Sequence, residues 1–275
     1  MIRRPPRSTQ GVSSAASDVY KRQAVITGSS KGLGQATAET LAAEGVDVHL
    51  VARDAKALER IATDLGKRHG VEASFSALDL SDSANVDGLF AQLTGRIDIL
   101  VNNAGAIPSG VLSEIDEKGW REGWELKVMS YVNLCRSYYR KMKEAGSGVI
   151  INNIGNSGEV FDPKYIAGTT GNAGLMAFTR ALGGHSLDDN IRVVGVNPGP
   201  VDTPRIYNML KKRASDVLGD ENRHPELLER YPLNRPAHLH EVTDLIVFLA
   251  SYRAGYISGT IYTVDGGISS RHSII

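Results

Sequence analysis

The sequence predicts an α/β domain on a doubly wound parallel sheet of about seven strands, with helices on both faces. Three observations predict it. Short apolar runs alternate along the chain with segments of helical period. The runs are mostly continuous rather than alternating, as strands covered on both faces require. The first of them, 24–26, opens into a glycine-rich turn and then a helical segment, which is the build of a phosphate cradle.

The turn reads Thr27-Gly28-Ser29-Ser30-Lys31-Gly32-Leu33-Gly34. Gly28 and Gly32 can take backbone angles that a side chain resists, and Gly34 lets the following helix, 33–44, lie close to the strand. The helix start then offers free N–H groups and a positive dipole end to a pyrophosphate. A plain surface turn uses the same residues, so the later segments decide. Further strands are expected at 46–51, 71–78, 97–101, 148–152, 191–196 and 260–264. Helices are expected at 55–67, 83–93, 117–144, 163–186 and 240–251. The polar, proline-containing stretch 203–236 is expected to be irregular or made of short helices. In a sheet of this kind the ligand binds beyond the carboxyl ends of the strands, where the strand order reverses.

Composition bounds the function. A chain of 275 residues suits one large α/β domain with a full core. One cysteine, Cys135, excludes an internal disulfide and suits a reducing compartment, so a cytoplasmic protein is expected. The formal net charge is zero and no basic block lies beyond the N-terminus, so no nucleic-acid partner is expected. No apolar run approaches the roughly 18 residues that cross a membrane. The seven histidines show no ligand spacing, and no metal is expected.

Residues 1–23 do not read like the rest. They are rich in Arg, Pro and Ser, lack an apolar period, and hold five basic residues against one acid. They read as a cloning or sequencing scar, with a basic targeting peptide as the alternative. The credible domain is then 24–275, with 203–236 as its lid. If the natural start of the first strand is lost, residues 19–23 are expected to serve in its place.

With its segments placed, the chain resembles the short-chain dehydrogenase/reductase family over about residues 24–267. The family's TGxxxGxG is matched by Thr27 to Gly34, its adenine-contacting acid by Asp79 with Leu80, and its NNAG by Asn102-Asn103-Ala104-Gly105. Its PG motif is matched by Pro198-Gly199, with Val201 and Thr203 placed for the nicotinamide amide, and its closing DGG by Asp265-Gly266-Gly267. The resemblance implies a single Rossmann-type domain that binds NAD or NADP. Each motif alone has a plain reading as a cap or a turn; five in order do not. At the end of the second strand, where NAD enzymes often place an acid, stand Val51 and Ala52, followed by Arg53; Lys31 sits in the glycine turn. Two cations suit the 2′-phosphate of NADP, with NAD as the alternative. Asp54 complicates this, since it could pair with Arg53 or turn toward a ribose.

The resemblance also implies chemistry: hydride transfer between nicotinamide and a carbonyl carbon, with a tyrosine passing the proton to oxygen. A phenol ionises near pH 10 and needs a nearby positive charge to act near neutrality. The family places a lysine four residues after the tyrosine. Here the tyrosine is Tyr165 and the fourth residue on is Thr169, which could bond a ribose hydroxyl but brings no charge. The family's active-site Asn on the long helix is matched by Lys127, so an ammonium relocated to the neighbouring helix is expected. The family's serine falls on Gly155; Ser157 is favoured as its replacement, with Asn156 and the turn's backbone N–H groups as alternatives. Two functions stand. One is an NADP-dependent carbonyl reductase or alcohol dehydrogenase, assembled as a homodimer or homotetramer and acting on a hydrophobic small molecule. The other is a dinucleotide-binding protein with weak or no turnover, used in sensing or assembly.

Overall fold

Seven strands form one parallel sheet in the order β3-β2-β1-β4-β5-β6-β7 in a computed structural model that describes residues 22–271. In chain order the elements are β1 (Gln23–Thr27), α1 (Gly32–Ala43), β2 (Asp47–Ala52), α2 (Ala55–His69), β3 (Ala73–Ala77), α3 (Ser83–Gln92) and β4 (Ile99–Asn102). There follow α4 (Glu117–Trp124), α5 (Ser130–Glu144), β5 (Gly148–Asn153), α6 (Ile166–Gly183), β6 (Ile191–Pro198), α7 (Pro204–Leu218), α8 (Leu239–Ala250) and β7 (Ile261–Val264). The third strand is two residues shorter at its start and one at its end than the expected 71–78.

Alternate residues of each strand serve opposite faces, as the two-residue period dictates. Ile26, Leu50, Val101, Ile151 and Val196 join Leu41, Leu58 and Ile246 in one buried layer. Val25, Val51, Leu100, Ile150 and Val193 join Leu89, Leu134, Tyr138 and Met142 in the other. Because both faces are covered, both sets must be apolar, which is why the strands read as unbroken apolar runs.

The expected scar at 1–23 lies mostly outside the described residues, but its last two residues belong to the fold. Gln23 opens β1 opposite Asp47, and Arg22 donates to Ala250 O at 2.6 Å. Arg192 reaches the same helix end from β6, donating to Leu249 O at 2.5 Å and Ser251 O at 2.9 Å, so two cations meet the negative dipole end of α8.

Two expectations need correction. The stretch 203–236, expected to be irregular or made of short helices, holds, ahead of 3₁₀ segments at Glu221–Arg230 and Pro232–Asn234, a 15-residue helix at Pro204–Leu218. Proline fits its first position, Ile206, Leu210 and Ala214 recur at four-residue spacing, and Gly219 ends it in a left-handed turn at φ 76°. The expected single helix over 117–144 is interrupted by a π-helical turn at Glu125–Met129. Such turns are frequent at functional sites, and this one carries Lys127.

Buried amides tie the strand ends that face the site. Asn102 Nδ2 donates to Asn152 Oδ1 at 2.9 Å, and Asn152 Nδ2 donates to Thr179 Oγ1 at 2.9 Å. Truncating Asn152 strips Asn102 of its acceptor and Thr179 of a donor inside the core. Asn152→Ala is expected to cost about 2–4 kcal/mol for the lost bonds and the orphaned groups. Urea unfolding should show a lower midpoint with an unchanged slope.

Candidate active site

The strand order reverses between β1 and β4, and the chain closes tightly there. Thr27 Oγ1 accepts from the backbone N–H groups of Asn103 at 2.9 Å and Ala104 at 3.0 Å. Asn103 Nδ2 donates to Thr27 O at 2.9 Å. Gly28, at φ 68°, lies so near this segment that a Cβ would stand 2.9 Å from Ala104 Cα. A Cβ on Gly34 would overlap both Gly28 O and the Asn103 amide, so α1 can approach only through a glycine. Ser29 fixes the turn from the other side: its Oγ accepts from Val51 N at 2.9 Å.

The remaining turn residues fall as expected around the opening of α1. Lys31 is exposed at the helix cap, Ser30 and Leu33 are half-buried, and Gly32 adopts φ 58°. A Cβ on Gly32 would lie 3.5 Å from the methyl of Thr203, so the root of the lid covers the glycine turn. Pro198 ends β6, Gly199 N donates to Val264 O at 3.0 Å, and Val201 bridges to Ala237. Beyond β2 and β3, Arg53 pairs with Asp79 at 3.6 Å while Leu80 is buried. Asp79 is held below the usual carboxylate range, chiefly by the N–H of Ser81. Asp54 caps α2 by accepting from Ala57 N at 3.0 Å.

Tyr165 stands immediately before α6, bridged to Gly110. Its ring lies over Gly168, where any Cβ would collide with it. Burial pushes the phenol above its ordinary pKa, and the charge of Arg205 on α7 opposes that shift. Thr169 donates its N–H to Tyr165 O at 2.8 Å, while its Oγ1 is buried with no partner. A buried hydroxyl without a partner is costly unless something else supplies one, and a cofactor hydroxyl fits the need.

Lys127 is not a solvated surface lysine. A Cβ on Gly105 would overlap its stem, so that glycine gives the side chain its path inward. Its Nζ donates to Ile154 O at 2.8 Å and Asn153 O at 3.2 Å, at the carboxyl end of β5. Desolvation, and then repulsion from Arg205, lower its pKa to about 7.

Gly155 adopts φ 118°, a conformation that a serine resists, which gives a backbone reason for the missing hydroxyl. Asn156 Nδ2 donates to Asp265 Oδ2 at 3.2 Å and so belongs to the Asp265 turn. Ser157 Oγ accepts from Asn172 Nδ2 at 2.6 Å, which leaves its own O–H to donate. Two side chains stand outside the quoted motifs: Asn172, which donates to Ser157, and Arg205 at the start of α7. Among the described residues no group of three metal-ligating side chains occurs, and no helix is long and apolar enough to cross a membrane. The glycine cradle, the orphan Thr169 hydroxyl and the Arg53 pair fit a dinucleotide.

Comparisons with known proteins agree with this geometry. The family model described as Enoyl-(Acyl carrier protein) reductase matches residues 28–269. A 3-oxoacyl-[acyl-carrier-protein] reductase of Chlamydia muridarum is 32% identical over 258 residues, spanning 91% of this chain and 98% of the relative. A cis-4-hydroxycyclohexanecarboxylate dehydrogenase of Sinomonas cyclohexanicum is 34% identical over 91% of this chain and 97% of its own. Among solved structures, the L-sorbose reductase of Gluconobacter frateurii, complexed with NADPH and L-sorbose, superposes with a TM-score of 0.85. It shares 35% identity and covers 92% of this chain and 98% of its own. With its glycine turn, NNAG, PG and DGG segments set in order around one Rossmann-type sheet, the chain belongs to the short-chain dehydrogenase/reductase family of oxidoreductases.

Proposed function

We propose that the protein interconverts a carbonyl and an alcohol by NADPH-linked hydride transfer, with Tyr165 as acid/base. The observation that carries this reading is the glycine cradle after β1, closed by the Thr27 bonds to Asn103 and Ala104, with the half-buried Tyr165 at the opening of α6. Bound NADPH supplies the hydride, and the chain supplies the rest. Arg53 and the exposed Lys31 are placed to take the 2′-phosphate. The orphan Thr169 hydroxyl takes a ribose hydroxyl. Lys127 stands in for the ammonium missing at position 169, held at the end of β5 by the carbonyls of Asn153 and Ile154. Ser157 donates to the substrate oxygen, and Tyr165 delivers its proton there.

Exposed Leu112 and Phe161 follow and precede the bridge between Gly110 and Tyr165, which supports a hydrophobic substrate. An apolar groove along α4, lined by Ile115, Trp120, Trp124 and Met129, supports assembly as a homodimer or homotetramer. A second reading, cofactor binding without turnover, draws on Gly155 and Thr169, which lack the family's hydroxyl and ammonium. Turnover of NADPH against a panel of hydrophobic ketones separates the two.

Three outcomes are expected. Tyr165→Phe lowers kcat by about 10²–10⁴-fold, the scale of general acid catalysis, and leaves NADPH binding in place. Fluorescence titration and steady-state assay on the same protein check both halves; a variant that still turns over at the wild-type rate removes Tyr165 from the chemistry. Arg53→Ala weakens NADPH by about 1.5–3 kcal/mol, the worth of a charge-assisted contact, with NADH little changed. Equal losses for both cofactors would place Arg53 away from the 2′-phosphate. Lys127 carries its charge below about pH 7 and loses it as pH rises through that value. The kcat/KM profile of the wild type should therefore have a limb near neutrality that Lys127→Met abolishes.

A further inference from the structure

We propose that Asn172, inside α6, is a positioning residue: its buried amide fixes the Ser157 hydroxyl as the donor that meets a substrate carbonyl oxygen. The inference rests on the carbonyl-reduction reading and names the residue that prepares its hydrogen-bond donor. Three observations carry it. Asn172 is 4% exposed, and its Nδ2 donates to Ser157 Oγ at 2.6 Å. Ser157 is half-buried, and Asn172 is the one hydrogen-bond partner of its side chain among the described residues. The turn that carries Ser157 is seated on α6 through glycines. A Cβ on Gly158 would stand 2.8 Å from Ala173 N and 2.9 Å from Asn172 C, and one on Gly155 would lie 3.4 Å from Asn172 Nδ2. The amide is thus enclosed by the turn that it holds.

The polarity of the bond follows from the residue types. An amide NH2 can only donate, so Ser157 Oγ accepts from it. The single hydroxyl hydrogen is then left for a third group on the open side. A hydroxyl that accepts one bond donates a stronger one, because the bonds of a chain polarise one another. The other side chains around the turn are committed elsewhere. Asn156 Nδ2 donates to Asp265 Oδ2 at 3.2 Å. Glu159 accepts from Asn197 Nδ2 at 3.1 Å and from Thr263 Oγ1 at 2.8 Å. The Lys127 ammonium and the Tyr131 hydroxyl both donate to Asn153 O, at 3.2 and 2.8 Å. Tyr165 shares a face of α6 with the amide: its ring fills the space that Gly168 leaves, and Asn172 lies four residues beyond Gly168. In carbonyl reduction the hydride forms the new C–H bond and the Tyr165 O–H bond breaks as its proton passes to the substrate oxygen. Ser157 keeps its own proton and holds that oxygen while negative charge develops on it.

The test reverses the polarity. A carboxylate at position 172 accepts and cannot donate, so in Asn172→Asp the Ser157 O–H turns inward, away from the substrate. Protonating that carboxyl restores a donor. The probe is acetophenone labelled with ¹³C at the carbonyl, bound to the full chain with NADP⁺ so that nothing turns over. Isotope-edited infrared spectroscopy reads its C=O stretch, which falls when the oxygen accepts a hydrogen bond. Ser157→Ala should raise the stretch above the wild-type value, and Asn172→Leu should raise it part of the way. Asn172→Asp should match Ser157→Ala at alkaline pH and return toward the wild type as pH falls, while the wild type stays constant over the same range. NADPH binding by each variant confirms that the fold is kept. In reduction of the same ketone, Asn172→Asp at alkaline pH should lose about 10²–10³-fold in kcat, the scale of one oxyanion donor. An unmoved stretch in Asn172→Leu, or a stretch in Asn172→Asp that ignores pH, overturns the assignment. A probe that fails to bind overturns the hydrophobic-ketone reading and the assignment with it. Shifted stretches without reduction of the ketone would retire the proposed activity and keep the assignment, whereas turnover with unmoved stretches would do the opposite.

Discussion

The site depends on one oxygen atom. Thr27 Oγ1, at the end of β1, accepts two consecutive backbone N–H groups from the segment after β4. Those N–H groups leave the sheet where the strand order reverses and have no ladder partner. Left unpaired in a buried place, each would cost about 1–3 kcal/mol. Satisfying both from one side chain draws the Asn103-Ala104 backbone down against Gly28. That closeness is what forbids side chains at positions 28 and 34. The glycines are therefore a consequence of the threonine bond as much as of any ligand, and the shape of the cradle is fixed before a cofactor arrives.

Around that rigid floor the charges are arranged unevenly. Lys127 and Arg205 have no carboxylate partner among the described residues, and Tyr165 is half-buried. Burial works against charge on Lys127 and Tyr165. The lysine responds by titrating near neutrality, while the arginine cannot discharge.

The sheet, its helices and the nucleotide cradle were legible because they follow from local rules. Continuous apolar runs gave the strands, and glycines at 28, 32 and 34 gave the turn. The inward path of Lys127 was half legible: the sequence shows the lysine, but not the π-helical turn that carries it or the Gly105 gap that admits it. The lid helix was missed because proline and a run of charges outweighed the apolar spacing of Ile206, Leu210 and Ala214. Arg205 was illegible for the same reason, since a residue without an assigned helix has no face and no neighbours. Asn172 and Ser157 meet only through the fold, fifteen positions apart, with no motif to announce the pair.

The lid has a small buried cluster of its own in Leu210, Ala214 and Leu227 and so can behave as one body. Its root is tied to the sheet side by Asp202 N donating to Ala237 O at 2.8 Å and Ala237 N donating to Pro200 O at 2.9 Å. Both ends of the lid thus meet at one point, beside the glycine turn that Thr203 overlies. A covering segment anchored there would exclude water from the site and strengthen the electrostatic interactions within it.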